Sequence, residues 1–274
     1  MGNGRLFSRK GAKVFKCSFA PLRDHIMLVV CCTSGYNPPL MIVTLIIFFA
    51  IFVQSASGFG LALVSMPLLV SVIGVGTATP LVALVGITAE LFLLRRYWEA
   101  LNFTAVKRLS IASIIGIPLG VYVLRTVDGR IITAILGVVV TGYALYALFG
   151  PHLPQLRQPG WAYGFGFVGG ILSGAYNTSG PPVIIYGTCR RWEPAAFKGN
   201  LQAYFFINSL FTLSAHALSG NFTAVVWQNY LWALPGIGVG LLLGRWVDGR
   251  IPPEKFRQGV LVLLVLLGIR LIVG

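Results

Sequence analysis

Charge in this chain is confined to short gaps between long apolar runs, and that separation fixes the solvent in which it can fold. Apolar runs occupy residues 41–53, 61–75, 81–94, 111–124, 131–149 and 260–273. Only 10% of the 274 residues are charged, against about 25% in an average soluble domain, and mean hydropathy is +0.82. A soluble protein with such a surface would aggregate, so the pattern is that of a multi-pass membrane protein. Several runs reach the ~20 residues a bilayer requires only when flanking Gly, Ser and Thr are counted. The 33 glycines suit helices that approach each other closely in lipid.

Within this pattern two pentapeptides recur in the same order. Asn102-Phe103-Thr104-Ala105-Val106 returns as Asn221-Phe222-Thr223-Ala224-Val225, offset by 119 residues. Val127-Asp128-Gly129-Arg130-Ile131 returns as Val247-Asp248-Gly249-Arg250-Ile251, offset by 120, and Gly120 and Arg125 recur as Gly240 and Arg245 at the same spacing. The expected fold is an all-α polytopic membrane protein with about 8 transmembrane helices in two homologous halves and a broken first helix in each half. Residues 1–39 read as a basic, disordered N-terminal extension held near a leaflet by anionic lipid. Residues 40–150 and 161–274 are the two transmembrane repeats. Residues 151–160, with Pro151, Pro154, Pro159 and Gly160, form a linker that no helix continues through. Four spans per half give a direct repeat and five an inverted one. Lys and Arg counts do not choose between them, because basic loops fall on both sides under either scheme.

The net charge of +14 does not point to nucleic acid. The cations lie between apolar runs rather than along one face, the distribution that sets membrane orientation, although an excess of cations also attracts anions. Cys17, Cys31, Cys32 and Cys189 form no CxxC pair and no metal-ligand spacing. His25, His152 and His216 are too scattered for a metal site or an acid–base triad. No phosphate-binding G-x-x-x-x-G-K-[ST] loop is present. The expectation is therefore a chain with no cofactor, no metal and no catalytic residues. It is expected to work on a small anion in the lipid bilayer, with self-association into a homo-oligomer left open.

The interruptions of the apolar runs carry the candidate site. Asn177-Thr178-Ser179-Gly180 precedes Pro181-Pro182, a helix-start signature. A helix that begins inside the membrane must find partners for its free N–H groups there, and a bound anion supplies them at the positive end of the helix dipole. The matching stretch of the first half is Gln54-Ser55-Ala56-Ser57-Gly58-Phe59-Gly60, leading toward Ser65 and Pro67. Donors are expected from Gln54, Ser57, Gly58, Gly60, Asn177, Thr178, Ser179 and Gly180. Gln202 and Asn208, polar residues in the next apolar run, line the same cavity or else bond helix to helix. Glu90, the acidic residue well inside an apolar run, is a candidate for coupling, or else pairs with nearby Arg95. The VDGR copies read as tight turns. Two other classes remain beside a carrier: a non-transporting membrane subunit, and an intramembrane enzyme, which would want paired acids or a Ser/His dyad.

These residues resemble the TauE/SafE family, the sulfite exporter or sulfonate-permease type. The resemblance spans roughly residues 40–274. It rests on the first Gly-rich break (Ser57-Gly58-Phe59-Gly60 to Pro67), the second (Gly169-Gly170 to Ser179-Gly180-Pro181-Pro182) and the two-half layout. Phe59 interrupts the first glycine cluster of the family, and Tyr176-Asn177-Thr178 replaces glycines in the second. The resemblance implies a multi-pass plasma (inner) membrane carrier, a secondary transporter of small sulfur-containing anions such as sulfite or organosulfonates that works by alternating access.

Overall fold

The computed structural model describes residues 38–150, 154–248, 250 and 253–273. The basic extension with Cys17, Cys31 and Cys32, the linker start at 151–153, and Gly249 and Ile251 of the second VDGRI lie outside the described residues.

Among the described residues the regular structure is all helical, with no strand. In chain order it comprises α1 (Pro38–Ser57), α2 (Leu61–Ile73), α3 (Val75–Arg96), a 3-10 turn (Trp98–Ala100), α4 (Phe103–Thr126) and α5 (Gly129–Phe149). There follow α6 (Trp161–Tyr176), α7 (Gly180–Cys189), α8 (Pro194–Leu218), α9 (Ala224–Val247) and α10 (Pro253–Val273). Two of these are short. At 1.5 Å per residue α2 extends roughly 20 Å and α7 roughly 15 Å, against a hydrocarbon core of ~30 Å. Among the described residues, five helices are long and apolar enough to cross a membrane by length and composition. Large apolar side chains point outward: Ile111, Ile115, Leu119 and Tyr122 are all exposed along α4. Its buried side carries Ser110, Ser113, Gly116 and Gly120, as expected where lipid, not water, is outside.

Glycines decide which helices touch. Gly166, Gly170 and Gly174 of α6 lie against the backbone of Leu109, Ser113 and Ile117 in α4, and Gly116 and Gly120 return the contact at Phe167 and Ile171. Gly236, Gly240 and Gly244 of α9 meet Thr44, Phe48 and Phe52 of α1 in the same ascending order. Both pairs are therefore parallel. Gly116 and Gly120, and the glycines 120 positions on at 236 and 240, do equivalent work in them. By contrast α3 and α8 run antiparallel, since Gly86 faces Ser209 while Tyr97 faces Gly199. So do α5 and α10, where Gly137 meets Leu271 and Ile272 while Gly268 meets Thr141.

These registers sort the helix ends onto two faces. One carries the end of α3 and the starts of α4 and α8, joined where Asn200 Oδ1 accepts the Asn102 N–H at 2.8 Å. The end of α9 lies there too, because Arg96 and Lys198 pair with Asp248 at 2.6 and 3.2 Å. On the opposite face Gly129, at the start of α5, packs near Val75, at the start of α3. It follows that α1 leads toward the first face and α2 returns to the second. The expected break is present, and the chain reverses at it rather than continuing as one broken span. In the second half α6 leaves the first face and α7 turns back, with Leu156 N–H bonding Cys189 O at 3.1 Å. The reversals divide the cations unequally. Arg95, Arg96, Lys107, Arg108, Arg157, Arg190, Arg191, Lys198, Arg245 and Arg250 fall on the first face, and Arg125, Arg130 and Arg270 on the other.

Candidate functional site

Both reversals are built from backbone that few residues tolerate. Gly58 has φ +87° and Gly60 φ +115°, conformations open to glycine alone without strain. Asn177 has φ +53°, a region that Asn tolerates better than most residues. Its side-chain amide donates to Thr79 O at 2.6 Å, tying the second turn to α3. Gln202 Nε2 donates to Gly58 O at 2.6 Å, tying the first turn to α8. Ser57 Oγ is folded back onto its own backbone, 2.8 Å from Val53 O and 2.7 Å from Phe59 O.

The two turns bring the starts of α2 and α7 to one small cavity of about 40 Å³. Gly60, Leu61, Ala62 and Leu63 line it from α2, and Asn177, Thr178 and Gly180 from the turn before α7. The first backbone bond of α2 is Val64 N–H to Gly60 O at 2.9 Å, so the N–H groups of Leu61, Ala62 and Leu63 have no intrahelical acceptor. In α7 the prolines at 181 and 182 carry no N–H at all. The first half thus offers the richer set of backbone donors, although the second has the more obvious sequence signature.

Gln54 of α1, Glu90 of α3, and Phe205 and Ser209 of α8 complete the lining. Val82, Gly86 and Glu90 follow each other at four-residue spacing along α3 and form one stripe facing the cavity. Glu90 is only 6% exposed. Its Oε1 and the Ser209 hydroxyl both lie beside Gly86, and its Oε2 has no hydrogen-bond partner. It does not pair with Arg95: among the described residues the ion pairs are those on Asp248.

Of the residues singled out from the sequence, Gln54, Gly60, Glu90, Asn177, Thr178 and Gly180 converge on the cavity. Ser57, Gly58, Ser179 and Gln202 shape the turns around it. Asn208 does not face it. Its side chain bonds Ser113 of α4, which also accepts from Tyr204 OH at 3.0 Å, so Asn208 serves the helix interface. Ser209 and Thr79 were not foreseen. The available signal was helical spacing: Gln202, Phe205 and Ser209 lie at i, i+3 and i+7, whereas Asn208 falls on another side of α8.

The described residues of the repeated pentapeptides lie away from the cavity, at helix ends. Asn102 caps α4 by accepting from Ala105 N–H at 3.2 Å, while the identical second copy caps α9 through Thr223, which accepts from Val226 N–H at 3.4 Å. Asp128 caps α5, accepting from Arg130 N–H at 2.8 Å. Asp248 instead receives Arg96, Lys198 and the Tyr97 hydroxyl, the last at 3.1 Å. Burial, and then the Asp248 charge, push the Tyr97 phenol up to about 12, so it remains a donor.

Residues 43–271 match the family described as Sulfite exporter TauE/SafE. The chain is similar to the "Probable sulfite/organosulfonate exporter TauE" of Cupriavidus necator, 27% identical over 76% of this chain and 85% of that protein. It is also similar to the "Probable inner membrane transporter protein TsaS" of Comamonas testosteroni, 27% identical over 62% of this chain and 74% of that one. No solved structure matches it.

Proposed function

Because the chain belongs to the TauE/SafE family of multi-pass inner-membrane transport proteins, we propose that it is a secondary carrier of a small sulfur-containing oxyanion, sulfite or an organosulfonate, moved by alternating access. The observation that carries this reading is the cavity shared by the starts of α2 and α7. Each helix start presents the positive end of its dipole, and α2 adds unpaired N–H groups, the arrangement that binds anions at helix starts. With ~10–15 Å³ per water-sized group, a cavity of about 40 Å³ suits an ion of sulfite's size. An alkyl sulfonate requires the walls to part. Gln54, Asn177 and Thr178 supply polar contacts, Gly58, Gly60, Ser57, Ser179, Gly180 and Gln202 hold the two turns, and Glu90 is the coupling residue. An anion and an ionised Glu90 repel each other in so small a space, so occupancy of one is linked to the charge of the other.

In this reading eight long helices span the membrane, and α2 and α7 are half-length helices that return from the site. The two halves have opposite orientations, which the antiparallel pairing of α3 with α8 and of α5 with α10 supports. The cation-rich face is cytoplasmic by the positive-inside rule. The experiment is a thermal-shift titration of the purified protein in neutral detergent with sulfite, short sulfonates, sulfate and chloride. The expected result is stabilisation by sulfite or a sulfonate that Gln54→Ala and Asn177→Gly each diminish. Stabilisation by none of these anions, or a shift that both variants retain in full, contradicts the proposal.

A further inference from the structure

Arg130 and Arg250 hold the same place in the two copies of VDGRI, which makes each an internal control for the other. Arg250 is engaged: its guanidinium lies 4.2 Å from the centre of the Trp246 ring, and its Nη1 donates to Trp246 O at 2.7 Å. The position 120 residues before Trp246 is Thr126, so the first copy has no ring to stack on. Arg130 instead lines a cleft of about 1090 Å³ bounded by the end of α2, the start of α5 and the end of α10.

Arg270 of α10 lines the same cleft. The acidic side chain there is Asp128, whose Oδ1 accepts from the Arg130 backbone N–H, and it forms no ion pair with either guanidinium. Ser71 and Thr133 bond carbonyls of their own helices. The remaining wall is apolar, including Val70, Val75, Ile131, Ala134 and Leu271. Membrane orientation does not account for this pair, because Arg130 and Arg270 are two of the three described cations on the cation-poor face.

The geometry points to a binding site for an anionic phospholipid, its phosphate held by Arg130 and Arg270 and an acyl chain laid along the apolar wall. Guanidinium is the side chain best matched to phosphate oxygens. The apolar wall has nothing to offer a free oxyanion and is complementary to a lipid tail. The site shares no lining residue with the cavity between α2 and α7, so it stands or falls independently of the carrier reading.

The test uses the full chain in neutral detergent, with phosphatidylglycerol, phosphatidylcholine or inorganic phosphate added. Phosphatidylglycerol is expected to raise the melting temperature, and phosphatidylcholine and inorganic phosphate to leave it within error of the lipid-free protein. Arg130→Gln combined with Arg270→Gln removes at least half of the rise, and Arg250→Gln preserves it. An equal rise with phosphatidylcholine, a full rise with inorganic phosphate alone, or an undiminished rise in the double variant overturns the assignment. Native mass spectrometry of the wild-type protein decides without any variant: preferential retention of phosphatidylglycerol supports the site, and equal retention of the two lipids overturns it.

Discussion

Glu90 lies one helical turn beyond Gly86 on the side of α3 that faces the cavity, with Oε1 beside Gly86 and Oε2 without a hydrogen-bond partner. Glu90→Gln changes its charge while keeping its size, so the fold is expected to persist and the response of transport to a pH gradient to disappear. A variant that still responds like wild type contradicts the coupling role. The glycines give a paired prediction. Gly170 faces the backbone of Ser113 with no room for a Cβ, so Gly170→Ala is expected to cost about 1–3 kcal/mol by overpacking. Gly238 has nothing within 4 Å of an added Cβ, and Gly238→Ala is expected to be neutral or to gain up to ~1 kcal/mol. Thermal melts in detergent rank the two, and equal losses contradict the proposed α4–α6 contact.

At the scale of elements, Asp128 and Asp248 come from the same pentapeptide and end differently. Asp248→Asn leaves Arg96 and Lys198 without their shared counter-ion, at an expected cost of about 1 kcal/mol that shrinks in high salt because the pairs are partly exposed. Asp128→Asn keeps a competent cap and is expected to change stability by less than half as much. A melt series at low and high salt separates them. The breaks near Gly58 and Asn177 were legible in the sequence, because Gly, Asn and Pro-Pro announce where a helix cannot continue. The reversal at each break was not, since a glycine turn and a kink share the same residues and only the partners of the following helix distinguish them. For a related reason the sequence left Asn208 between lining the cavity and bonding helix to helix. Polarity within an apolar run marks a buried contact, whereas its direction depends on the neighbouring residues that set which side of α8 faces α4.

For the whole molecule, five described helices precede the linker and five follow it, and in the proposed inverted arrangement the two NFTAV copies lie on opposite faces. In a cysteine-free background, Thr104→Cys and Ala224→Cys are expected to react with an impermeant maleimide from opposite sides of the membrane, with the Ala224 position outside. Labelling of both from one side contradicts the inverted arrangement. The direct-versus-inverted choice stayed open in the sequence because it depends on whether two short helices turn the chain round. The proposed anion site ties these scales together: the starts of α2 and α7 meet at a cavity that Glu90 also lines. The most direct test of that claim is the flux of radiolabelled sulfite and of a short radiolabelled sulfonate in reconstituted vesicles. The account predicts saturable flux of at least one of them by the wild-type protein above empty vesicles, reduced by about tenfold (~1.4 kcal/mol) in Gln54→Ala and in Asn177→Gly. Wild-type flux of neither anion above that of empty vesicles, or full flux in both variants, would contradict it.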